Sequence, residues 1–209
     1  MRTSIYVDGF NLYFSGLKNT TYKWLDIRGL CARILKPENE ILHIKYFTAN
    51  VSPTQTDPKK HLDQQIYLRA LRRTTPELEV ITGQFTTHKV RKRLVNPPLV
   101  GSQHVEVFHT TEKGSDVNLA VHLVNDAWLN KFDCAVVISG DSDLAEAIKL
   151  VRTHHPKKVV GVFAPGKRGM SQKLVIESSF IRAISQTALA ASQFPHHIPG
   201  TTIFKPADW

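Results

Sequence analysis

The sequence predicts an α/β fold built on a central parallel sheet. Short apolar runs that read as strands alternate with segments of helical spacing. One run is apolar throughout, as a strand covered on both faces must be, and turn or capping residues close the runs. Strands alternating with helices imply right-handed βαβ units and a doubly wound sheet.

The elements follow in order. Ser4–Val7 is a short apolar run ending at Asp8-Gly9, a strand and then a turn. From Trp24 to Leu35, Leu25, Leu30, Ile34 and Leu35 recur at near-helical spacing until Lys36-Pro37 stops the helix. Ile41–Ala49 reads as a second strand. Pro58 to Arg73 suits a helix, with proline tolerated in the first turn and Leu62, Ile66, Leu68 and Leu71 in an apolar band. Leu78–Ile81 reads as a third strand, closed by Gly83.

Residues 84–110 break this rhythm. Phe85–Val95 alternates with a period of two, Lys89, Arg91 and Arg93 on one side and Val90 and Leu94 on the other. Asn96-Pro97-Pro98 ends that run and Val105–Phe108 resumes an extended pattern, which predicts an inserted β-hairpin or arm. Ser115 or Asp116 can cap the next helix, which runs to about Leu129 and is apolar nearly all round, so it packs on several sides. Cys134–Ile138 is the continuously apolar run. Ser139-Gly140-Asp141 turns into a helix over Leu144–Arg152, and Val159–Phe163 is one more strand. The tail from Pro195 has no regular pattern and is expected to lie along the surface or fray.

The bulk composition narrows the function classes. A chain of 209 residues, 42% hydrophobic and 22% charged, suits one globular domain rather than a disordered chain. No apolar run approaches the roughly 18–20 residues that cross a bilayer. Met1–Ser4 runs straight into Ile5-Tyr6-Val7 with no h-region, so the expectation is a cytoplasmic protein without a membrane partner. Cys31 and Cys134 cannot make a disulfide framework and read as reduced, buried thiols. A formal net charge of +9 favours polyanionic partners, nucleic acid among them.

The candidate chemistry lies in aspartates at comparable places. Asp8 follows the first strand, Asp141 and Asp143 follow the Cys134–Ile138 strand, and Asp116 opens a helix. Open α/β sheets bind ligands outside the carboxyl ends of their strands, where strand order reverses. If these two strands are neighbours there, Asp8 and Asp141 converge and Asp116 approaches from the intervening helix. At about 4 Å and an effective dielectric near 20, each carboxylate pair repels by roughly 4 kcal/mol, which protonation or a cation must relieve. Oxygen ligands of this kind suit Mg²⁺ or Mn²⁺. Taken singly, each of these aspartates is an ordinary turn or cap residue; their joint placement carries the reading.

Three motifs make the chain recognisable. Ile5-Tyr6-Val7-Asp8-Gly9-Phe10-Asn11-Leu12-Tyr13 resembles the opening motif of NYN-domain proteins, the LabA-like branch of the PIN-like nucleases. Glu112-Lys113-Gly114-Ser115-Asp116-Val117-Asn118-Leu119-Ala120 is similar to their second motif, and Val137-Ile138-Ser139-Gly140-Asp141-Ser142-Asp143-Leu144 to their third. The resemblance implies a PIN-like three-layer fold with a central parallel sheet over residues 1–185, with the basic arm inserted at about 84–110 and a C-terminal tail at 186–209. It implies ribonuclease activity with Mg²⁺ or Mn²⁺ held by Asp8, Asp116 and Asp141, and Asp143 as a supporting acid. Asn11 would orient a carboxylate or phosphate, Ser139 would stand beside the third acid, and Lys113 could neutralise phosphate charge. Many members carry a further aspartate in the second-motif helix where this chain has His122, either a substitute ligand or proton carrier or a structural imidazole. Some relatives carry paired cysteines in the arm; this chain has none there, so no structural zinc is expected.

Basic residues suggest where RNA, or another nucleic acid, would lie. Lys89, Arg91, Lys92 and Arg93 cluster in the arm, Arg69, Arg72 and Arg73 share a predicted helix face, and Lys167 and Arg168 follow the Val159–Phe163 strand. Phe10, Tyr13 and Phe14 could stack a base, although aromatics at such spacing more often pack inward. A homodimer is compatible with this reading. The rival readings are a non-catalytic RNA-binding or regulatory NYN module and a HAD-like phosphohydrolase. The latter needs an acid two residues after its nucleophilic Asp, where this chain has Phe10. No P-loop, Gly-x-Gly-x-x-Gly or Gly-x-Ser-x-Gly motif supports an NTPase, dinucleotide or serine-hydrolase reading.

Overall fold

The computed structural model describes residues 1–54, 57–166 and 170–209. Seven strands, β1 (Arg2–Asp8), β2 (Glu40–Ala49), β3 (Leu78–Arg93), β4 (His104–Lys113), β5 (Cys134–Ile138), β6 (Val159–Ala164) and β7 (Phe180–Ala183), form one sheet. Their order is β4-β3-β2-β1-β5-β6-β7. All pairings are parallel except that of β3 with β4. The helices are α1 (Gly9–Leu12), which continues as a π-helical turn over Tyr13–Leu17, α2 (Ile27–Ile34), α3 (Lys60–Thr74), α4 (Ser115–Trp128), α5 (Ala145–His154), α6 (Gln172–Glu177) and α7 (Gln186–Ala190).

The two-residue period of a strand sorts the core into two layers. Ile5 and Val7 of β1, with Val136 and Ile138 of β5, pack against Leu30 of α2 and Leu68 and Leu71 of α3. Tyr6, Ala135 and Val137 face the other way, against Leu119 and Leu123 of α4, Ile148 of α5 and Leu174 of α6. The three-layer α/β fold expected from the sequence is therefore present. Strand order reverses between β1 and β5, with β2 and β3 built outward on one side and β6 and β7 on the other. The two strands that carry the candidate acids are neighbours at the switch point.

Differences from the sequence reading have local causes. Gly83 does not end the third strand: β3 pairs with β2 as far as Gly83 and with β4 from Gln84 onward. Glycine serves there as the crossing from sheet to arm, because a Cβ would come within 2.5 Å of Glu112 Oε1 and of the Lys113 carbonyl oxygen. Helix α2 starts at Ile27 rather than Trp24, since the Asp26 carboxylate accepts a hydrogen bond from the Gly29 amide at 2.9 Å and caps it. The cap of α4 is Gly114, at φ 103°, so that Ser115 and Asp116 are helical residues rather than caps.

Helices α6 and α7 and strand β7 have no counterpart in the sequence reading. The final segment packs rather than frays. Ile198 and Ile203 are buried, the Trp24 indole donates to the Pro195 carbonyl at 2.8 Å, and Trp209 lies against Trp24 and Tyr67 with ring centroids 6.3 and 5.5 Å away. Cys31 and Cys134 are free and buried. Among the described residues no helix is long and apolar enough to cross a membrane.

Candidate active site

Asp8 ends β1 and caps α1. Its Oδ1 accepts from the Asn11 amide at 2.9 Å, and its Oδ2 accepts from the Ser139 hydroxyl at 2.9 Å. Ser139, fully buried just past β5, also accepts from the Asp141 amide at 3.0 Å. Asn11 Oδ1 accepts from the Gly140 amide at 2.9 Å. Two of these four hydrogen bonds, Ser139 to Asp8 and Gly140 to Asn11, lock the turn after β1 to the turn after β5, and the other two brace each turn within itself. Asp141 Oδ1 accepts from the Asp143 amide at 3.0 Å and so starts the 3₁₀ turn Ser142–Leu144 that leads into α5. A cavity of about 160 Å³ opens beside this lock, lined in part by Asn11, Ser15, Gly140, Met170 and Ser171.

Asp116 stands in the first turn of α4, where the helix dipole favours an anion. Because the cap, Gly114, has no side chain to offer, Glu112 serves the first turn: its Oε1 accepts from the Ser115 amide at 3.1 Å and the Ser115 hydroxyl at 2.8 Å. The acids feel one another. Burial, with the charges of Asp116 and Asp141, outweighs the bonds from Asn11 and Ser139 and pushes Asp8, only 2% exposed, up to about 6. Burial first, then the charges of Asp141, Glu112 and Asp143, raise Asp116.

The fit to a metal ion is partial. Among the described residues, no three His, Cys, Asp or Glu side chains are grouped closely enough to hold one. The three-aspartate ligand set expected from the sequence is therefore not preassembled. Two physical reasons account for this. Bare carboxylates repel, and both Asp8 oxygens are drawn toward Asn11 and Ser139.

His122 is not among these acids. Its Nδ1 lies 3.0 Å from Lys45 Nζ and its ring packs edge-on to Phe47. Burial and the Lys45 charge lower its pKa. Lys45 belongs to a second cluster that the sequence reading missed: it donates to Asp126 Oδ2 at 2.6 Å, Tyr6 donates to the same oxygen at 2.9 Å, and Lys131 pairs with Oδ1 at 3.1 Å. A lysine within an apolar strand reads as an outward residue, so no sequence signal marked it.

The basic residues divide. Lys89, Arg91, Lys92 and Arg93 are exposed on the arm as expected, and Lys113 is exposed at its base opposite Gln84. Arg69, Arg72 and Arg73 are exposed on α3 but are not brought to the acids. Helix α3 packs on the layer opposite α4, and as a βαβ crossover it runs back toward the edge where the strands begin. Lys167 and Arg168 lie outside the described residues. Of the three aromatic residues, Phe10 and Tyr13 are half-buried, whereas Phe14 is exposed rather than packed inward.

Comparison with known proteins adds three findings. The model of the NYN domain family matches residues 2–185. The 6-hydroxy-3-succinoylpyridine 3-monooxygenase HspA of Pseudomonas putida is 31% identical over all of this chain and 75% of its own length. A crystal structure of a protein of unknown function from Vibrio parahaemolyticus aligns with a TM-score of 0.56 over 88% of this chain and 93% of that one, at 19% identity, a likeness of fold.

Proposed function

Because the chain belongs to the NYN domain family, whose fold is nuclease-like, we propose that it hydrolyses phosphodiester bonds in RNA at the Asp8–Asp116–Asp141 cluster with a divalent metal, Mg²⁺ or Mn²⁺. The observation that supports this most is the state of Asp8. It is a buried carboxylate at the switch point of the sheet, its pKa raised to about 6 by burial and by two further acids, and among the described residues no cationic side chain bonds it. Mg²⁺ is commonly held by one or two carboxylates, water and the substrate's own phosphate. That habit suits a cluster in which no three acids meet.

Such an ion, when bound, polarises a phosphoryl oxygen and lowers the pKa of the attacking water. The chain's own contribution is placement. Asp8 and Asp141 would hold the ion from the turns after two neighbouring strands, and Ser139 fixes the Asp8 carboxylate. The Asn11 carbonyl oxygen is engaged by Gly140, which leaves its amide nitrogen to donate to a phosphate oxygen. The arm's cations hold the strand.

The test is cleavage of labelled RNA with Mg²⁺, Mn²⁺ or EDTA, run beside Asp8→Asn. Metal-dependent cleavage that falls by roughly a hundredfold or more in the variant supports the reading. RNA binding without turnover replaces it with a non-catalytic module.

A second reading rests on the whole-chain likeness to the pyridine monooxygenase. Oxygenation of an aromatic ring consumes dioxygen and a two-electron reductant. Product formed from 6-hydroxy-3-succinoylpyridine with NADH and air, without RNA cleavage, would favour it.

A further inference from the structure

One face of the arm continues outward from the acid cluster. Directly opposed residues of an antiparallel pair point to the same side, so Phe85, Lys89 and Arg91 of β3 share a face with their partners Glu112, Phe108 and Glu106 of β4. At the base of this face Phe85 meets Phe10 edge-on at 5.7 Å, and Phe10 stacks on Phe14 at 6.4 Å. Aromatic surface therefore runs unbroken from α1, the helix that Asp8 caps, onto the arm.

Two rings along this run stand in the open. Phe14 is 59% exposed and Phe108 is 74% exposed, whereas Phe47 and Phe132 of the core are fully buried. Each open ring has a lysine beside it: Lys18 Nζ is 5.1 Å from the Phe14 centroid and Lys89 Nζ is 5.8 Å from that of Phe108. A flat apolar ring next to a cation matches a nucleotide, whose base stacks on the one and whose phosphate meets the other. The unit occurs twice, once near the acids and once out along the arm. Four residues separate the Phe85–Glu112 pair from the Lys89–Phe108 pair, about 13 Å of strand.

Resting on the reading that this chain acts on nucleic acid, we propose that this face is a single-strand track. One base stacks on Phe14 and another on Phe108, and Lys18, Lys89, Arg91 and Arg93 meet the phosphates. The strand leaves the acid cluster along the arm. A duplex keeps its bases stacked on one another and can offer neither ring a free face, so the ligand is single-stranded. The pairing also separates residues that are adjacent in sequence: Lys92 lies on the opposite face, near His109 at 3.4 Å, with His88.

Fluorescence anisotropy in EDTA, with a short labelled single-stranded RNA and the duplex of the same sequence, tests the track. Phe14→Ala and Phe108→Ala each weaken single-strand binding about five- to a hundredfold and leave duplex binding unchanged. His88→Ala on the other face changes single-strand binding by no more than about twofold. The track is overturned if both phenylalanine variants bind like the wild type, if duplex binding falls in step, or if the wild type holds no single strand. Cleavage scored separately with Mn²⁺ keeps the two ideas apart. Ring-dependent binding without cleavage retains the track and removes the hydrolytic reading, whereas cleavage indifferent to both rings does the reverse.

Discussion

Asp8 and Asp126 are equally hidden, at 2% and 1% exposure, yet their surroundings push them in opposite directions. Both lie on the α4 side of the sheet, and Asp126 reaches Tyr6, two residues before Asp8 on the same strand. Burial alone would raise the pKa of each. At Asp126, hydrogen bonds from Lys45, Lys131 and Tyr6 outweigh that burial and hold the carboxyl below its ordinary value. Asp8, among the described residues, accepts from an amide and a hydroxyl and has two carboxylates nearby, and burial with those charges pushes it up to about 6. Helix α4 carries an acid at each end. Asp126 is neutralised and forms part of the scaffold; Asp116 joins a group of acids that, among the described residues, have no cationic partner. The difference separates an ion pair that holds the fold from a group of acids without such pairing among the described residues.

Removing the compensation should make the scaffold acid behave worse than the site acid. Lys45→Met leaves Asp126 buried with its nearest cation gone and should cost about 3–5 kcal/mol of stability in urea unfolding. A loss below 1 kcal/mol would mean that the cluster is not the scaffold element described. The opposite sign is expected at the other cluster. An aspartate near 3.9 when unfolded and about 6 when folded takes up its proton in the native state first. Stability of the metal-free protein therefore falls as pH rises from about 4 to about 6 and stays lower above that. Asp8→Asn removes this penalty and should stabilise the metal-free protein at neutral pH by about 2–3 kcal/mol. A variant less stable than the wild type at neutral pH would reverse the comparison. The smallest effect concerns the residue between the clusters: His122→Gln should change stability by less than about 1 kcal/mol. It should also leave any metal-induced rise in melting temperature intact; loss of that rise would return the imidazole to the ligand set.

Half of this comparison was legible in the sequence. Asp8 follows a short apolar run directly and Asp141 follows another across Ser139-Gly140, and those positions point to strand ends. The pairing Val7 with Ile138 then brings the two runs side by side. Asp126 left no such mark, because its partner Lys45 sits inside an apolar strand and Tyr6 looks like any core aromatic. For His122 the sequence left a ligand or proton carrier and a structural imidazole both open. His122 is six residues after Asp116, and that helical spacing turns it away from the acids toward β2. Gly83 read as a stop because glycine usually punctuates, while here it lets two backbones pass closely. The stretch from Gln172 to Ala190 escaped notice since its elements have six, four and five residues, too few to show a period.

The central claim, that the strand-end acids are relieved by a divalent cation, is tested most directly by thermal unfolding with and without Mn²⁺ or Mg²⁺, for wild type and Asp8→Asn across pH. Above pH 6 the wild-type midpoint should rise by roughly 5–10 °C at a metal concentration a hundred times Kd. The rise should fade as Asp8 takes up its proton below about pH 6 and be absent in Asp8→Asn. A wild type indifferent to both ions, or a variant that responds as strongly, would contradict it.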